Sequence, residues 1–455
     1  MIDGFRITKS ASIFISTLDS DKKEYIIKSL KGYKGLVTKE TIEQILMPKI
    51  EISNRIPAQD ISPSIEIKSL DISSFKVDSD IDAFINYYRN RFSRIKKFFR
   101  YSNEYEIIEI DKLDDVEDGD YAIIGIIFDI VDRNKYLQIH LEDLSGIKKF
   151  YISKNSNLYK EFKDELMLDD VIMIEGKKRG ENFFIENILY PTLDQQTWPE
   201  IDLEFEALYI SDLHFGSKYL NRKYLDAVLK YLKEKNKYIK YIIIGGDIVD
   251  GVGVYPSQEK ELEVLDIEKQ YKLFNEFVEK LPDYLEVIVI PGNHDAVRRA
   301  EPSEPISNQL IYTDVHLLPN PAYFKIHGFL HLVYHGTSLD GYISSFPGIS
   351  YEKGYMAAIK MLKRRHLSSI HGKNIVAPLS IDHLVITDIP HIFQLGHIHK
   401  SFIKSYNNIY IVNSGTFQNQ TPFQAKVGLV PDLGKYHVFN FKTRKFYYIG
   451  GPGGI

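Results

Sequence analysis

Residues 241–250 read YIIIGGDIVD, a short apolar run that ends in two glycines and then in acidic residues. An uninterrupted apolar run of this length predicts a strand buried on both faces, as strands are in parallel sheets. The same pattern recurs in FEALYI (205–210), LEVIVI (285–290), FLHLVYH (329–335) and IFQLGH (392–397). Between several of these runs lie amphipathic helices, marked by Leu225, Val228, Leu229 and Leu232 and by Leu273, Phe274, Phe277 and Val278. Residues 200–455 are therefore predicted to form a layered α/β domain.

Polar residues of one chemical kind follow each predicted strand. They are Asp212 and His214, Asp247 and Asp250, Asn293 and His294, His335, and His397 and His399. Because ligands of α/β folds sit at the carboxyl ends of the strands, we expect these side chains to meet at one edge of the domain. Glycines beside Asp247, Asn293, His335 and His397 leave backbone space there.

This inventory suits a pair of metal ions. Two divalent cations about 3.5–4 Å apart can polarise a phosphate and lower the pKa of a water between them. Such a site needs a bridging carboxylate and several neutral or anionic ligands. Each motif alone is weak, since an isolated Asp-x-His is typically a surface turn and a strand-end Asp is typically a helix N-cap. Together, and in this order, they indicate a two-metal phosphoesterase that cleaves phosphate ester bonds.

The motif series resembles the calcineurin-like metallophosphoesterase superfamily, whose fold is a layered β-sandwich flanked by helices. By that resemblance, one metal is bound by Asp212, His214, Asp247 and His399, and the second by Asp247, Asn293, His335 and His397. Asp247 is then the bridging ligand. The resemblance also implies that His294 protonates the leaving oxygen or stabilises the charged phosphate, and that Asp250 orients the His294 ring.

A narrower resemblance rests on PGNHDAVRRAEP (291–302), HGTSLDGY (335–342), GHIHKS (396–401) and NSGTFQNQTPFQ (413–424). These strings are similar to the small subunit family of archaeal family D DNA polymerases. The resemblance implies a 3′–5′ exonuclease that proofreads for a large polymerase subunit, with DNA as substrate and a location at the replisome. Manganese is the expected metal because hard oxygen ligands mix with imidazole, with Zn²⁺ or Fe as alternatives.

Other charged or polar residues near the motifs allow two interpretations each. Arg298 and Arg299 could hold a DNA phosphate next to the scissile one, or form an ion pair with Glu301 or Glu304. The segment 413–416 lines the site or forms a plain turn. The run Lys363-Arg364-Arg365 favours a helix face over a DNA contact, and His366, His371, His383 and His391 are interpreted as structural.

The first 200 residues predict a different architecture. Residues 1–50 suggest a small helical region with helices near 26–30 and 42–46, and 51–78 a linker rich in Pro and Ser. Residues 79–104 predict an amphipathic helix with a basic face that includes Arg89, Arg91 and Arg94, either solvated or in contact with a partner or nucleic acid. Residues 105–195 alternate in the manner of an all-β, OB-type barrel. Tyr136, Phe150, Tyr151, Phe183 and Phe184 could stack on single-stranded nucleic acid, although half of them must fill the barrel.

Composition limits the number of domains, the possible metal ligands and the classes of function. The chain has 455 residues, too many for one core, and 44% of them are hydrophobic. It contains no cysteine, so any metal must rest on His, Asp, Glu or Asn. No long apolar run predicts a membrane span or a signal peptide, and a cytoplasmic location is expected. The net charge of −5 gives no global basic signature for nucleic-acid binding.

Two other functions stay open at this level. The chain could act mainly as a scaffold for a large polymerase subunit. Alternatively, it could be a stand-alone metallophosphoesterase or repair nuclease, although the barrel that precedes the catalytic domain argues against this.

Overall fold

The computed structural model describes residues 6–18, 20–30, 36–39, 41–42, 56–69, 72, 77, 80–100, 104–370 and 372–450. The chain divides into two compact units, Met1–Arg55 and Ile56–Ile455. In the first, the described residues form helices α1 (Lys9–Ser16) and α2 (Ser20–Ser29), and the strands β1 (Arg6–Ile7) and β2 (Leu36–Val37) pair in parallel. The helix predicted near 42–46 lies outside the described residues from 43 onward. Every helix in the described parts falls short of what crossing a membrane requires.

Two six-stranded sheets form the core of the second unit. The first contains, in spatial order, β13 (His316–Leu317), β12 (Glu286–Ile290), β11 (Ile239–Gly245), β10 (Glu206–Ile210), β19 (Lys435–Asn440) and β20 (Lys445–Gly450). The second contains β17 (Ser401–Tyr406), β18 (Ile409–Ser414), β16 (Ile392–Leu395), β15 (Phe329–Val333), β14 (Ala322–Ile326) and β3 (Ile65–Ile67). The five apolar runs of the sequence are thus strands β10, β11, β12, β15 and β16.

Helices cover the outer faces of both sheets. They are α5 (Arg222–Lys230), α6 (Ile267–Val278), α7 (Leu339–Ser345) and α8 (Gly354–Arg364), and a short helix, α9 (Pro422–Lys426), follows β18. Along β10, Leu208 packs with residues of α5 and α6, whereas Tyr209 packs with Phe324 and Ile392 of the second sheet. Successive side chains of a strand point to opposite faces, so a run buried on both sides must be apolar throughout. The predicted α/β sandwich flanked by helices is confirmed.

Part of the predicted linker belongs to this sandwich. Residues Ile65–Ile67 add the edge strand β3, which pairs antiparallel with β14 through Phe324, Lys325 and Ile326. A strand of three residues is too short to produce a recognisable alternation within a segment rich in Pro and Ser. The prediction of a linker is therefore wrong for these three residues, and the finer domain boundaries stay a prediction.

The strands between residues 106 and 189 close into a barrel. Its sheet contains β4 (Glu106–Ile107), β5 (Asp120–Asp132), β6 (Tyr136–Glu142), β7 (Ile147–Ser153), β9 (Asn182–Leu189) and β8 (Val171–Arg179), and β5 also pairs with β8. Helix α4 (Asn157–Phe162) follows β7. The OB-type interpretation of this barrel stays a prediction.

The aromatic residues of the barrel separate into two groups. Phe150 and Phe183 are fully buried inside it. Tyr136, Tyr151 and Phe184 are half-buried and form a cluster, in which the Tyr136 ring lies 6.1 Å from Tyr151 and 5.9 Å from Phe184. The division agrees with the expectation that part of the set fills the barrel, and nucleic-acid binding by the rest stays a prediction.

Buried ion pairs fasten the barrel and helix α3 (Ile81–Ile95) to the sandwich. Arg91 of α3 is 2% exposed, and its Nε donates to Asp382 Oδ2 at 2.9 Å. Arg364 is equally buried and donates to Asp170 of the barrel at 2.7 Å. Arg365 donates to the carbonyls of Thr192 and Ile386.

These contacts correct two predictions. Arg91 does not belong to a solvated basic face, and two residues of the run Lys363-Arg364-Arg365 are buried rather than on a free helix face. Helical periodicity identifies the apolar face, but it carries no information about a carboxylate that arrives from a distant segment. Buried arginine requires such a partner because an unpaired charge is costly to bury.

Candidate metal centre

The predicted ligands follow strands that run in parallel. Strands β10, β11 and β12 are parallel neighbours in one sheet, and β15 and β16 are parallel neighbours in the other. Each strand is immediately followed by one of the polar motifs, so the carboxyl ends deliver all of them to the same edge of the sandwich. The predicted convergence of five separate segments is therefore what the structure contains.

The inward-facing atoms of the seven predicted ligands form one continuous cluster. Asp212 Oδ1 lies 3.4 Å from His399 Nε2, which is 3.1 Å from His214 Nε2. Asp247 Oδ2 lies 3.8 Å from His214 Nε2 and 3.3 Å from His335 Nε2. Asn293 Oδ1 lies 3.1 Å from His335 Nε2, and His397 joins Asp247 and His335 in a group whose ligand atoms lie within 4.8 Å of one another. Asp247 thus touches both halves of the cluster, as a bridging ligand must.

Hydrogen bonds on the outer ring nitrogens aim the histidines inward. His335 Nδ1 donates to the carbonyl of Gly245 at 2.8 Å, which directs its Nε2 toward Asp247 and Asn293. His214 Nδ1 lies 2.9 Å from Asp250 Oδ1, and His397 Nε2 lies 3.0 Å from Asp340 Oδ2. An acceptor on the outer nitrogen fixes the tautomer and raises the basicity of the inner nitrogen, the usual arrangement for a metal-binding imidazole.

His399 is held differently. The Gln424 amide donates to its Nδ1 at 2.8 Å, while Gln424 Oε1 accepts from the backbone N–H of Thr421. The Nε2 of His399 therefore carries the proton and faces His214 Nε2 at 3.1 Å and Asp212 Oδ1 at 3.4 Å. A cation that binds between these two rings takes the place of that proton, so its affinity depends on pH.

The ligand turns are strained in a specific way. Asp212, His214, Asp247, His397 and His399 have φ values of 54°, 52°, 51°, 67° and 54°, in the left-handed region that side-chain-bearing residues rarely adopt. Strain of this kind, about 1 kcal/mol or more per residue, persists where the surrounding structure enforces it, and it concentrates at functional sites.

Two glycines leave the space that the carboxylates of Asp247 and Asp212 occupy. A Cβ on Gly292 would lie 2.1 Å from Asp247 Oδ1, and one on Gly396 would lie 2.8 Å from Asp212 Oδ2. No side chain can be accommodated at the first of these distances without displacing Asp247. The glycines of PGNHD and GHIH are therefore part of the site.

Asp295 ties two ligand loops together beneath the cluster. Its carboxylate accepts from the backbone N–H groups of Gly292 (2.8 Å), Ile248 (3.2 Å) and Val249 (3.3 Å). Burial, with a contribution from the negative charge of Asp247, raises the pKa of Asp295 to about 7. For Asp247 itself, burial raises the pKa, but His335 and His294 outweigh burial and hold the pKa of that carboxyl well below its ordinary range. The bridging residue is thus ionised at neutral pH.

The contact predicted between Asp250 and His294 differs from the one observed. The carboxylate of Asp250 bonds His214, and its Oδ1 is 3.8 Å from His294 Nδ1. His294 Nδ1 instead donates to the backbone carbonyl of Asp250 at 2.7 Å. Because a carbonyl can only accept, this bond fixes Nδ1 as the protonated nitrogen and turns Nε2 toward the pocket. Asp250 orients both rings, one through its side chain and one through its main chain.

Neither predicted DNA-binding arginine points freely into the site. Arg298 forms an ion pair with Glu304 and also donates to the carbonyl of Ile72, so the alternative of an ion pair is the one that the structure contains. Arg299 donates to the carbonyls of Gly253 and Val254 at 2.9 and 3.0 Å. Sequence proximity to PGNHD suggested a phosphate contact, but acceptors closer at hand already engage both guanidinium groups.

Several supporting residues escaped the sequence analysis. Gln424 and Asp340 hold His399 and His397, and Thr416 Oγ1 donates to the carbonyl of Asp212 at 2.9 Å. A signal existed for Gln424, because Thr421 and Gln424 form a capping box with Pro422 at the first turn of α9. Asp340 lies within the string HGTSLDGY, but nothing in that string indicates that it bonds His397. Of the histidines interpreted as structural, His366 bonds Asp382 and His391 bonds Thr197, whereas His371 lies outside the described residues.

The donor set fits divalent metal ions. It combines carboxylates, imidazoles and one amide oxygen, without thiolates, a mixture that accepts Mn²⁺, Fe²⁺ or Zn²⁺. Asp212, His214 and His399 form one group of neighbouring ligand atoms, and Asp247, His335 and His397 form another. A pocket of about 410 Å³ opens over both groups and is also lined by His294.

Fold and site together define the class of protein. The calcineurin-like phosphoesterase family matches residues 206–411, which contain most strands of both sheets and all seven predicted ligands. The C-terminal half is a calcineurin-like phosphoesterase domain, a family whose activity implies divalent metal ions.

The relatives that match most of the chain define a narrower family. The chain is 32% identical over 471 positions to the DNA polymerase II small subunit of Archaeoglobus fulgidus, with coverage of 96% of this chain and 94% of that one. It is 33% identical to the corresponding subunit of Methanocaldococcus jannaschii (91% and 74% covered) and 31% identical to that of Methanothermobacter thermautotrophicus (91% and 90% covered). The chain belongs to the family of small subunits of archaeal DNA polymerase II, the family D polymerases.

Proposed function

We propose that this subunit is the 3′–5′ proofreading exonuclease of its polymerase and hydrolyses the terminal phosphodiester of a DNA strand. The observation that carries the proposal is Asp247, whose carboxylate lies between two groups of metal-ligating atoms directly beside His294. All seven predicted ligands are present and converge. A site with this complete set is suited to catalysis rather than to a purely structural role.

The ligand assignment follows from the two groups. Asp212, His214 and His399, with Asp247, would hold one ion, and Asn293, His335 and His397, with Asp247, would hold the other. Bound there, two divalent ions polarise the phosphate, lower the pKa of a nucleophilic water and neutralise the charge that develops in an in-line displacement. Mn²⁺ is the metal we propose, because oxygen and imidazole ligands are mixed.

His294 supplies the proton transfer. In the reaction, the oxygen of water forms a bond to phosphorus, and the bond from phosphorus to the 3′-oxygen of the preceding nucleotide breaks. His294 Nε2 faces the pocket and would protonate that leaving oxygen, while Nδ1 stays bonded to the Asp250 carbonyl. This protonation requires the cationic form of the ring; burial lowers the pKa of His294, and the Asp250 carboxylate, 3.8 Å from Nδ1, favours the cation.

Partner and location follow from the family. The small subunits named above imply a large catalytic polymerase subunit as the partner of this chain, and a place on replicating DNA. Mismatched or single-stranded 3′ ends are the substrates that we propose, because a proofreading site acts on the strand that the polymerase has just extended.

The test is time-resolved digestion of 3′-labelled and 5′-labelled single strands and mismatched primers, in Mn²⁺, Mg²⁺ or chelator. We expect nucleotide release from the 3′ end only, and only with metal. Asp247→Ala and His294→Ala should each abolish release, while His316→Ala, a partly exposed histidine remote from the cluster, should leave it unchanged. Equal thermal unfolding of the variants would show that the fold survives. Full activity in His294→Ala would refute the role of that ring.

A scaffold function is the second candidate, and one surface favours it. A groove of about 590 Å³ between α3 and the barrel is lined by Ile81, Phe128 and Leu144, which are 79%, 57% and 62% exposed. Apolar side chains exposed together mark an interaction surface. Co-purification of a large polymerase subunit without metal-dependent nuclease activity would establish the scaffold and exclude the exonuclease.

A further inference from the structure

The pocket over the metal centre raises the question of what holds the DNA. Arg298 and Arg299 are engaged by Glu304 and by main-chain carbonyls. Among the described residues that line the pocket, none is Lys or Arg. Beyond the scissile phosphate, the strand therefore finds no side-chain cation in this pocket, and another kind of contact must position it.

The pocket is lined by aromatic side chains instead of Lys or Arg. Phe423 lines the pocket and is 63% exposed, an unusual state for a large apolar ring. Val427, one turn further along, is 50% exposed and lines the same wall. Tyr255 and Tyr351 are half-buried and complete the aromatic lining.

Each of these rings is linked to a different member of the catalytic set. Phe423 precedes Gln424, whose amide holds His399 at 2.8 Å. Tyr351 donates to Asp340 Oδ1 at 2.9 Å, and Asp340 in turn bonds His397. The Tyr255 ring packs edge-on against His294, with ring centroids 6.2 Å apart.

The position of Phe423 is fixed by its helix. Thr421 accepts from the backbone N–H of Gln424, Gln424 accepts from that of Thr421, and Pro422 occupies the first turn. This capping box sets the start of α9 and leaves little freedom to the residue between its two members. The backbone that carries the exposed ring is therefore fixed beside His399.

We propose that Phe423 is a stacking platform for an unpaired nucleobase at the 3′ end of DNA, with Tyr255 and Tyr351 completing the base-binding wall. The inference rests on the proposed exonuclease function and names its substrate class. Every base offers a π-face, so stacking tolerates any sequence. Stacking on Phe423 requires a base that has left its own helix. Frayed and mismatched ends satisfy this requirement, and the platform thereby selects the ends that need removal.

The experiment compares Phe423→Ala with the wild-type chain, each in complex with the large subunit. Substrates are a single-stranded oligonucleotide with a normal 3′ end, the same strand with an abasic 3′-terminal residue, and methyl p-nitrophenyl phosphate, which lacks any base. We expect Phe423→Ala to raise KM for the normal strand by about 5- to 100-fold, with little change in kcat, and to leave cleavage of the small diester unchanged. The variant and the wild type should be alike on the abasic end.

Controls separate stacking from other effects. Phe423→Trp should keep the low KM of the wild type. Phe423→Leu retains apolar bulk without a ring, and its KM should rise nearly as much as that of Phe423→Ala. Tyr312→Ala removes a ring of similar exposure, 61%, outside the pocket and should have no effect.

The outcomes are distinguishable. If the wild type releases nucleotides and Phe423→Ala has the same KM, the platform is refuted and the exonuclease stands. If Phe423→Ala instead loses the large subunit during purification, the ring belongs to a protein interface and the platform is again refuted. If the wild type cleaves the small diester but no DNA, both the proposed function and this inference fail.

Discussion

The contact between Asp250 and His214 predicts a role for Asp250 in metal binding, whereas the family resemblance assigned this residue to His294. Asp250 Oδ1 lies 2.9 Å from His214 Nδ1, and both side chains are 1% exposed. Gln418 Nε2 donates to the same oxygen at 3.1 Å. Asp250→Asn keeps the size of the side chain but removes its charge, so His214 loses a charge-assisted partner and the basicity that this partner gives to its Nε2.

The expected loss is in metal affinity. Replacement of an outer partner of a metal-binding histidine typically costs about 10- to 100-fold in affinity, or roughly 1.4 to 2.8 kcal/mol. The loss should fall on the ion held by Asp212, His214 and His399. The ion held by Asn293, His335 and His397 has no contact with the Asp250 carboxylate and should keep its affinity.

Isothermal titration calorimetry of the metal-free chain with Mn²⁺ measures the number of ions and the Kd of each. Asp340→Asn is the matched control, because Asp340 Oδ2 bonds His397 Nε2 at 3.0 Å on the other side of the cluster. Asp340→Asn should weaken binding of the ion held by Asn293, His335 and His397. This loss should be smaller than the one in Asp250→Asn, because the Asp340 side chain is 52% exposed. Wild-type affinity for both ions in Asp250→Asn, with a loss of turnover alone, would mean that the carboxylate serves His294 as the sequence suggested, and the reasoning from geometry would be wrong.

Two further predictions concern the glycine beside Asp247 and the buried arginine of α3. Gly292→Ala should abolish Mn²⁺ binding and nuclease activity, because its Cβ would lie 2.1 Å from Asp247 Oδ1; Gly146→Ala, whose nearest neighbour would be 3.8 Å away, is the control for calorimetry and should change neither. Asp382→Ala should lower the free energy of unfolding by about 3–5 kcal/mol at pH 7, because it leaves the buried charge of Arg91 unpaired. Burial raises the pKa of Asp382, but His366 and Arg91 outweigh it and hold that pKa below its ordinary value. The contribution is therefore complete at neutral pH and fades as the pH falls below about 4, where unfolded Asp becomes protonated. Urea titrations at pH 7 and at pH 3.5 should show the difference between variant and wild type shrink; a difference independent of pH would contradict the ion-pair explanation.

The ligand set could be predicted from sequence because two simple regularities coincide there. Apolar runs such as YIIIGG identify strands buried on both faces, and parallel strands bring their carboxyl ends to one edge. Asp212, Asp247 and His335 follow directly from this rule. The rule is local in sequence, since each ligand lies within a few residues of the strand that positions it.

Contacts that depend on distant segments were beyond the same reasoning. Arg91 was predicted on a solvated face because helical periodicity reports only on its own helix, whereas its partner Asp382 lies in a loop of the sandwich. Arg298 was predicted either to hold a DNA phosphate or to form an ion pair with Glu301 or Glu304, and the structure contains the pair with Glu304. The partner of Arg298 is six residues away and could be named from the sequence, whereas the partner of Arg91 is 291 residues away and required the fold.

Backbone strain is a second, structural indication that the ligand motifs are functional. At Asp212, His214, Asp247, His397 and His399 the chain adopts positive φ, although glycine or asparagine would do so at lower cost. A structural turn would have relieved this strain by substitution. Keeping aspartate and histidine there, with roughly 1 kcal/mol or more of strain at each, is favourable only if their side chains do something that glycine cannot. The glycines sit at the adjacent positions instead, where Gly292 and Gly396 leave room for the carboxylates of Asp247 and Asp212. The positive φ of five predicted ligands and the open space beside Gly292 and Gly396 thus serve one requirement, that the carboxylates and imidazoles of these tight turns face the cluster.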